Sequence, residues 1–166
     1  RRATWLANKR NGALLQGTNS VVRNSRFTGT FNAIAVQGAN SLIEGNTVSG
    51  FSGDGLRALG TDSAIRNNSV TDCVSVSDAH NDGIQSWSTD EAGTLFLGVL
   101  KGITLENNRI AEWSNPTVST LRCHLQGIFI AGYLEDLKIR NNVILVTAWH
   151  GIGIYGGSNI EITHNT

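Results

Sequence analysis

The chain has 166 residues and a mass of 17.8 kDa, with 13 basic and 13 acidic side chains and a pI near 7.1. This fits one domain and excludes the basic surface that non-specific nucleic-acid binding needs. With 40% hydrophobic and 16% charged residues the chain is not of the disordered class, and no apolar run reaches the roughly 18 residues of a membrane span.

Its 19 Gly, 17 Asn and single Pro predict many tight turns between short strands. The first residue is Arg1 rather than Met, so a processed product or an excerpt is expected.

Two segment types alternate along the chain. Gly12-Ala13-Leu14-Leu15-Gln16-Gly17 is followed by Val22-Arg23-Asn24-Ser25-Arg26-Phe27. Ala33-Ile34-Ala35-Val36-Gln37-Gly38 is followed by Ile43-Glu44-Gly45-Asn46-Thr47-Val48. Gly55-Leu56-Arg57-Ala58-Leu59-Gly60 precedes Ile65-Arg66-Asn67-Asn68-Ser69-Val70, and Gly83-Ile84-Gln85-Ser86-Trp87-Ser88 precedes Leu105-Glu106-Asn107-Asn108-Arg109-Ile110. The last two pairs are Gly127-Ile128-Phe129-Ile130-Ala131-Gly132 with Ile139-Arg140-Asn141-Asn142-Val143-Ile144, and Gly151-Ile152-Gly153-Ile154-Tyr155-Gly156 with Ile162-Thr163-His164-Asn165.

Alternation at period two predicts strands. A repeat of about 20–25 residues predicts a solenoid, and the Leu-x-x-Leu-x-Leu framework of leucine-rich repeats is missing. A parallel β-helix of about six coils over residues 1–166 fits best, with like residues stacked in ladders. One ladder reads Arg23, Glu44, Arg66, Glu106, Arg140, alternating in sign as neighbouring strands favour. Another reads Ser25, Asn46, Asn68, Asn108, Asn142, Asn165, an asparagine ladder in the turns. Cys73 and Cys123 pair as one disulfide or stand as two thiols; two cysteines do not decide between these.

The repeat lengthens in the middle. Loops are expected at about 71–82, 88–101 and 111–126, around strands 83–88 and 127–132. Leu95, Phe96, Leu97 and Trp113 predict that these loops pack. Outward positions on the first strand type carry Arg57, Gln85, Trp87, Phe129 and Tyr155, a part-polar, part-aromatic wall suited to sugar.

The position before each such strand reads Asn11, Asn32, Asp54, Asp82, Gln126, His150, polar in every coil. Turn chemistry explains the column, while Asp54 and Asp82 on adjacent coils also suit an acid–base pair. His80, His124 and His150 approach one strip from three consecutive coils, and Arg57 or Arg122 can pair with a sugar carboxylate. The same region offers a competing metal reading. Asp54, Asp78, Asp82 and the three histidines are candidate ligands, for Ca²⁺ beside a uronate or for Zn²⁺ among imidazoles.

The Gly-Ile-x-Ile-x-Gly and Ile-x-x-Asn-x-Val segments over residues 11–166 resemble the right-handed parallel β-helix repeat of pectate-lyase-like enzymes, alginate epimerases, some glycoside hydrolases and phage tailspikes. Asp78-Ala79-His80 is similar to the Asp-x-His element of alginate epimerases. Trp149-His150-Gly151 is similar to their Arg-His-Gly element with Trp in place of Arg. Ser75 stands where that family has Tyr, with Tyr133 and Tyr155 as substitutes.

The resemblance implies a polysaccharide or oligosaccharide partner and a uronic-acid polymer lyase or C5-epimerase. In that reading Arg57 or Arg122 holds the carboxylate, His80 or His124 takes the proton and Asp82 orients or donates. Gln85, Trp87, Gln126, Phe129 and Tyr155 bind substrate. The alternatives are a glycoside hydrolase using Asp54 and Asp82, or a non-catalytic glycan-binding or structural module of the tailspike or adhesin kind. An extracellular, periplasmic or virion-associated location goes with the resemblance. So do solenoid ends capped by further coils, flanking domains or a second copy.

Overall fold

Each regular repeat closes one coil of three short strands. The structure is a computed structural model, and it describes residue 4 and residues 8–76, 79–117 and 119–166. Coil one holds β1 (Ala13–Leu15), β2 (Val21–Arg23) and β3 (Arg26–Thr28). Coil two holds β4 (Ile34–Val36), β5 (Leu42–Glu44) and β6 (Thr47–Ser49), and coil three β7 (Leu56–Ala58), β8 (Ala64–Arg66) and β9 (Ser69–Thr71). Coil four comprises β10 (Asp82–Trp87), β11 (Leu100–Lys101), β12 (Thr104–Glu106) and β13 (Arg109–Ala111). Coil five has β14 (Gln126–Ala131), β15 (Leu134–Arg140) and β16 (Val143–Leu145); coil six has β17 (Ile152–Ile154) and β18 (Gly157–Thr163).

The strands stack in three parallel sheets, the first in the order β1-β4-β7-β10-β14-β17. Register follows the alternation of the sequence. Ala13, Ile34, Leu56, Ile84, Ile128 and Ile152 align in one column of that sheet, and the middle four of these are fully buried. Ile43, Ile65, Leu105 and Ile139 fill the core from the second sheet, and Val48, Val70 and Ile110 from the third. The result is the parallel β-helix of six coils that the repeat predicts. No helix among the described residues is long and apolar enough to cross a membrane.

The paired asparagines have separate jobs. Asn24, Asn67, Asn107 and Asn141 take positive φ of 52–58° at the turn, where a short polar side chain is tolerated. The residues that follow are buried from Asn68 onward and bond from coil to coil. Asn108 Nδ2 donates to Ile65 O at 2.9 Å and to Asn142 Oδ1 at 3.0 Å, and Asn68 Nδ2 donates to Asn108 Oδ1 at 3.0 Å. In the charge ladder, Arg66 pairs with Glu44 at 2.7 Å and Arg140 with Glu106 at 3.1 Å. Close approach of neighbouring coils requires the glycine at the start of the inner coils: a Cβ at Gly55 would lie 2.5 Å from both Gly83 O and Val70 Cγ1.

The insertions before β10 and β14 join each other. Cys73 and Cys123 form a disulfide. Val74 and Arg122 form an antiparallel bridge, and Ser75 N–H donates to Leu121 O at 2.6 Å. The insertion after β10 is shorter than 88–101, because Leu100 and Lys101 are strand. It folds as a small hairpin bridged between Thr89 and Leu95. Contrary to the sequence reading, its apolar residues do not pack: Leu95, Phe96 and Leu97 are all more than half exposed.

Candidate functional site

Alternation places the expected outward column on one wall. Ala35, Arg57, Gln85, Phe129 and Gly153 are in register across five coils. Arg57 Nε donates to Asp54 Oδ2 at 2.6 Å, and the guanidinium carbon lies 5.0 Å from the Trp87 ring centroid. Farther along, aromatic rings make a continuous strip. His80 meets Phe129 edge-on at 5.1 Å, Phe129 meets Tyr155 at 5.3 Å, and Tyr155 meets His150 at 6.0 Å.

The column that enters this wall is first of all a turn ladder. Asn32 Nδ2 donates to Asn11 Oδ1 at 2.8 Å, Asp54 N–H to Asn32 Oδ1 at 2.9 Å, and Asp82 N–H to Asp54 Oδ1 at 3.2 Å. The pattern breaks at Asp82. The Gln126 backbone N–H that should continue it donates to Asn81 O instead, and Asp82 Oδ1 is buried without a partner among the described residues.

Asp82 Oδ2 lies 3.0 Å from His80 Nδ1, and the Gln126 side-chain amide caps His80 Nε2. Burial, and then the charge of Asp54, push Asp82 up to about 8, with Arg57 pulling the other way. Burial also raises Asp54, against the pull of Arg57. Near neutral pH the Asp82 carboxyl therefore keeps its proton and donates it to His80 Nδ1. The Gln126 side-chain nitrogen faces His80 Nε2, and a proton on that ring nitrogen calls for the amide to turn and present Oε1, which is buried and has no partner among the described residues.

This geometry corrects two expectations. Asp54 and Asp82 are 1% and 0% exposed, so neither carboxylate can touch a glycosidic bond as hydrolase acid or nucleophile; they position Arg57 and His80. Arg122 is tied back within its loop: its Nε donates to Glu112 Oε1 at 2.5 Å, Glu112 is 2% exposed, and Arg122 does not line the pocket beside the wall.

A pocket of about 400 Å³ opens beside the wall, lined by His80, Asn81, His124, Gln126, Thr147 and Trp149 among others. Trp149 is 82% exposed, and its ring lies 6.1 Å from that of His80. Two of the three expected histidines thus share one pocket. His150 does not line it; its Nε2 lies 3.1 Å from Tyr155 Oη on coil six. Neither Tyr133 nor Tyr155 lines the pocket in place of the missing Tyr.

Asp78 lies outside the described residues. Among the described residues no three His, Cys, Asp or Glu side chains gather as metal ligands. Asp54 and Asp82, both sealed from solvent and with Asp54 bonded to Arg57, do not gather the six to eight oxygens that Ca²⁺ takes.

The sequence reading missed Glu112 and Thr147. The Thr147 hydroxyl donates to Glu112 Oε2 at 2.6 Å, and its oxygen lies 3.3 Å from His124 Nδ1. Burial alone would raise Glu112. Bonds from Thr147, Leu125 and Arg122 outweigh that and hold it below the usual carboxylate range.

A family model described as right handed beta helix region matches residues 11–166. No curated protein and no solved structure matches the chain.

Proposed function

We propose, for a chain that belongs to the right-handed β-helix family, that the wall and its pocket bind an acidic polysaccharide and abstract the proton beside a uronate carboxylate. The observation that carries this reading is the pairing of His80 and His124 in one pocket with the exposed indole of Trp149 on its rim. Indole and phenol rings offer apolar faces to sugar C–H groups and leave the rim polar for hydroxyls. Two of the five Arg57 N–H donors are engaged by Asp54, and the remainder suit the sugar carboxylate.

The chemistry is redox-neutral. A base takes the C5 proton, and the C–H electron pair moves toward the carboxylate as an enolate. In elimination that pair then forms the C4–C5 double bond, the C4–O bond breaks, and the leaving oxygen gains a proton. In epimerisation C5 regains a proton on the opposite face. His124, whose Nε2 has no partner among the described residues, suits the abstraction; His80, locked by Asp82 and Gln126, suits orientation of the sugar. A location outside the cytoplasm goes with this reading and with the Cys73–Cys123 disulfide.

A second reading is a glycan-binding module without turnover, favoured by the engagement of both His80 ring nitrogens by protein groups. One experiment separates the two. The protein is incubated in D₂O with a panel of uronic-acid polymers, and both ultraviolet absorbance of unsaturated uronide and deuterium at C5 are followed. Absorbance that His124→Ala abolishes supports elimination, and deuterium without absorbance supports epimerisation. Binding with neither signal overturns catalysis in favour of the module.

A further inference from the structure

Glu112 begins the insertion that follows β13, and its carboxylate is saturated by donors. Oε1 accepts from Arg122 Nε. Oε2 accepts from the Leu125 N–H at 3.1 Å, the Thr147 N–H at 3.0 Å and the Thr147 hydroxyl at 2.6 Å. A carboxylate ringed by donors stays ionised and has no proton to give. The single Thr147 hydroxyl hydrogen is therefore committed to Glu112. Toward His124, 3.3 Å away, the Thr147 oxygen can only accept.

We infer that a Glu112–Thr147–His124 relay holds the His124 imidazole in its Nδ1–H form and leaves Nε2 as an unprotonated, available base at the pocket. Among the described residues His124 Nε2 has no hydrogen-bond partner, whereas Gln126 occupies the corresponding nitrogen of His80. His124 and Thr147 both line the pocket, and Glu112 lies behind them, out of solvent. Thr147 and Glu112 are thus positioning residues, fixing tautomer and ring direction through a bond made by the other nitrogen. The charged and titratable neighbours are few: Arg122 on the far side of Glu112, and His80 on the same pocket.

A merely structural Glu112 would need only Arg122 and the two backbone amides, which already tie the insertion to coil six. The hydroxyl–imidazole step adds nothing to that anchor. Thr147→Val is accordingly the informative substitution. It keeps the shape and the backbone N–H bond to Glu112, and removes only the hydroxyl.

The test is ¹⁵N NMR of the imidazole nitrogens of the whole chain, with the His124 signals assigned by their loss in His124→Gln. The wild type and Thr147→Ser should show Nδ1–H and a bare Nε2 at His124. Thr147→Val should show a mixture of the two tautomers. An Nε2–H form in the wild type, or a Thr147→Val spectrum identical to it, overturns the relay.

The part played by the relay in turnover rests on the proton-abstraction reading above. On that reading Thr147→Val lowers kcat about tenfold or more at unchanged KM, and Thr147→Ser restores it. A wild type with the Nδ1–H spectrum but no turnover of any uronic polymer upholds the relay and sinks only the abstraction reading.

Discussion

The backbone N–H of Asp82 donates to Oδ1 of Asp54 across adjacent coils at 3.2 Å, and both carboxyl groups are sealed from solvent. Among the described residues Asp54 has a cation, Arg57, in bonding distance, whereas Asp82 has the imidazole of His80 on one oxygen and no partner on the other. Holding both groups as anions in one low-dielectric site is costly, so the folded protein keeps a proton on Asp82 up to about pH 8.

The consequence for stability has a definite sign. The unfolded chain releases that proton near pH 3.8 and the folded chain near 8, so the folded state binds more protons between those values. This contribution is fully present below about pH 4 and is lost as pH rises toward and through about 8. Asp82→Asn, which cannot ionise, should flatten that loss. Its stability relative to wild type should improve from pH 5 to about pH 8 in denaturant titrations, by up to about 1.4 kcal/mol per pH unit, and level off above that. A parallel pair of curves would show that Asp82 is ionised in the folded state. Glu112 acts in the opposite direction: its contribution is lost as pH falls below about 4.5.

Trp149 exposes 82% of its surface, while Trp87 is half-buried with Arg57 across its face. An exposed indole contributes little to folding, so Trp149→Ala should leave the melting temperature within a degree or two. If the indole is a sugar platform, binding of an acidic oligosaccharide should weaken about tenfold, the scale of one aromatic contact. Isothermal titration on the two proteins checks this. Unchanged affinity would remove Trp149 from the binding surface.

The coils were legible because each does the same job, so each repeats the same letters. Asn67-Asn68, Asn107-Asn108 and Asn141-Asn142 recur because one residue must turn with positive φ and the next must bridge coils. His80 and Asp82 were legible because they are two residues apart at the end of a loop. Glu112 and Thr147 were not. They are 35 residues apart and meet only because coil six packs beside an insertion whose period is lost.

Arg122 was misassigned because its partner Glu112, ten residues earlier, turns back within the same loop. Apolar Leu95, Phe96 and Leu97 predict packing, but they sit on a short hairpin at the corner of the coil that brings the Phe96 backbone over Gly132 and leaves all three side chains more than half exposed.

The asparagine ladder predicts a sharp contrast between adjacent residues. Asn108→Ala removes the acceptor of Asn68 Nδ2 and of the Asn68 N–H, together with the donor to Ile65 O. Leaving such buried groups unpaired costs about 1–3 kcal/mol each before relaxation, so a loss of about 3 kcal/mol is expected. Asn107, next to it, is needed only for its φ of 55°. Asn107→Gly should therefore stay within about 0.5 kcal/mol of wild type. Equal losses in chemical denaturation would mean that the ladder bonds carry no special weight.

The disulfide links stability to the pocket. Cys73 and Cys123 are 50 residues apart and join the insertion that leads to His80 with the one that leads to His124. Cys73 N–H also donates to Glu112 O at 3.0 Å, so the bond braces the segment that carries the carboxylate behind His124. Opening a loop of this length frees unfolded-chain entropy equivalent to about 4 kcal/mol, a drop of roughly 10 °C in melting temperature for a chain of this size. The Cys73→Ala/Cys123→Ala pair should therefore melt lower but keep the circular dichroism of the solenoid, whose coils close without the bridge. The two insertions are then held together by the Val74–Arg122 bridge and backbone hydrogen bonds without the covalent brace, and the two histidines are held less firmly over one space. Oligosaccharide binding should weaken in the double variant, and a reductant should have the same effect on wild type and none on the variant. Full affinity in the reduced protein would show that Glu112 and the Val74–Arg122 bridge suffice to hold the pocket.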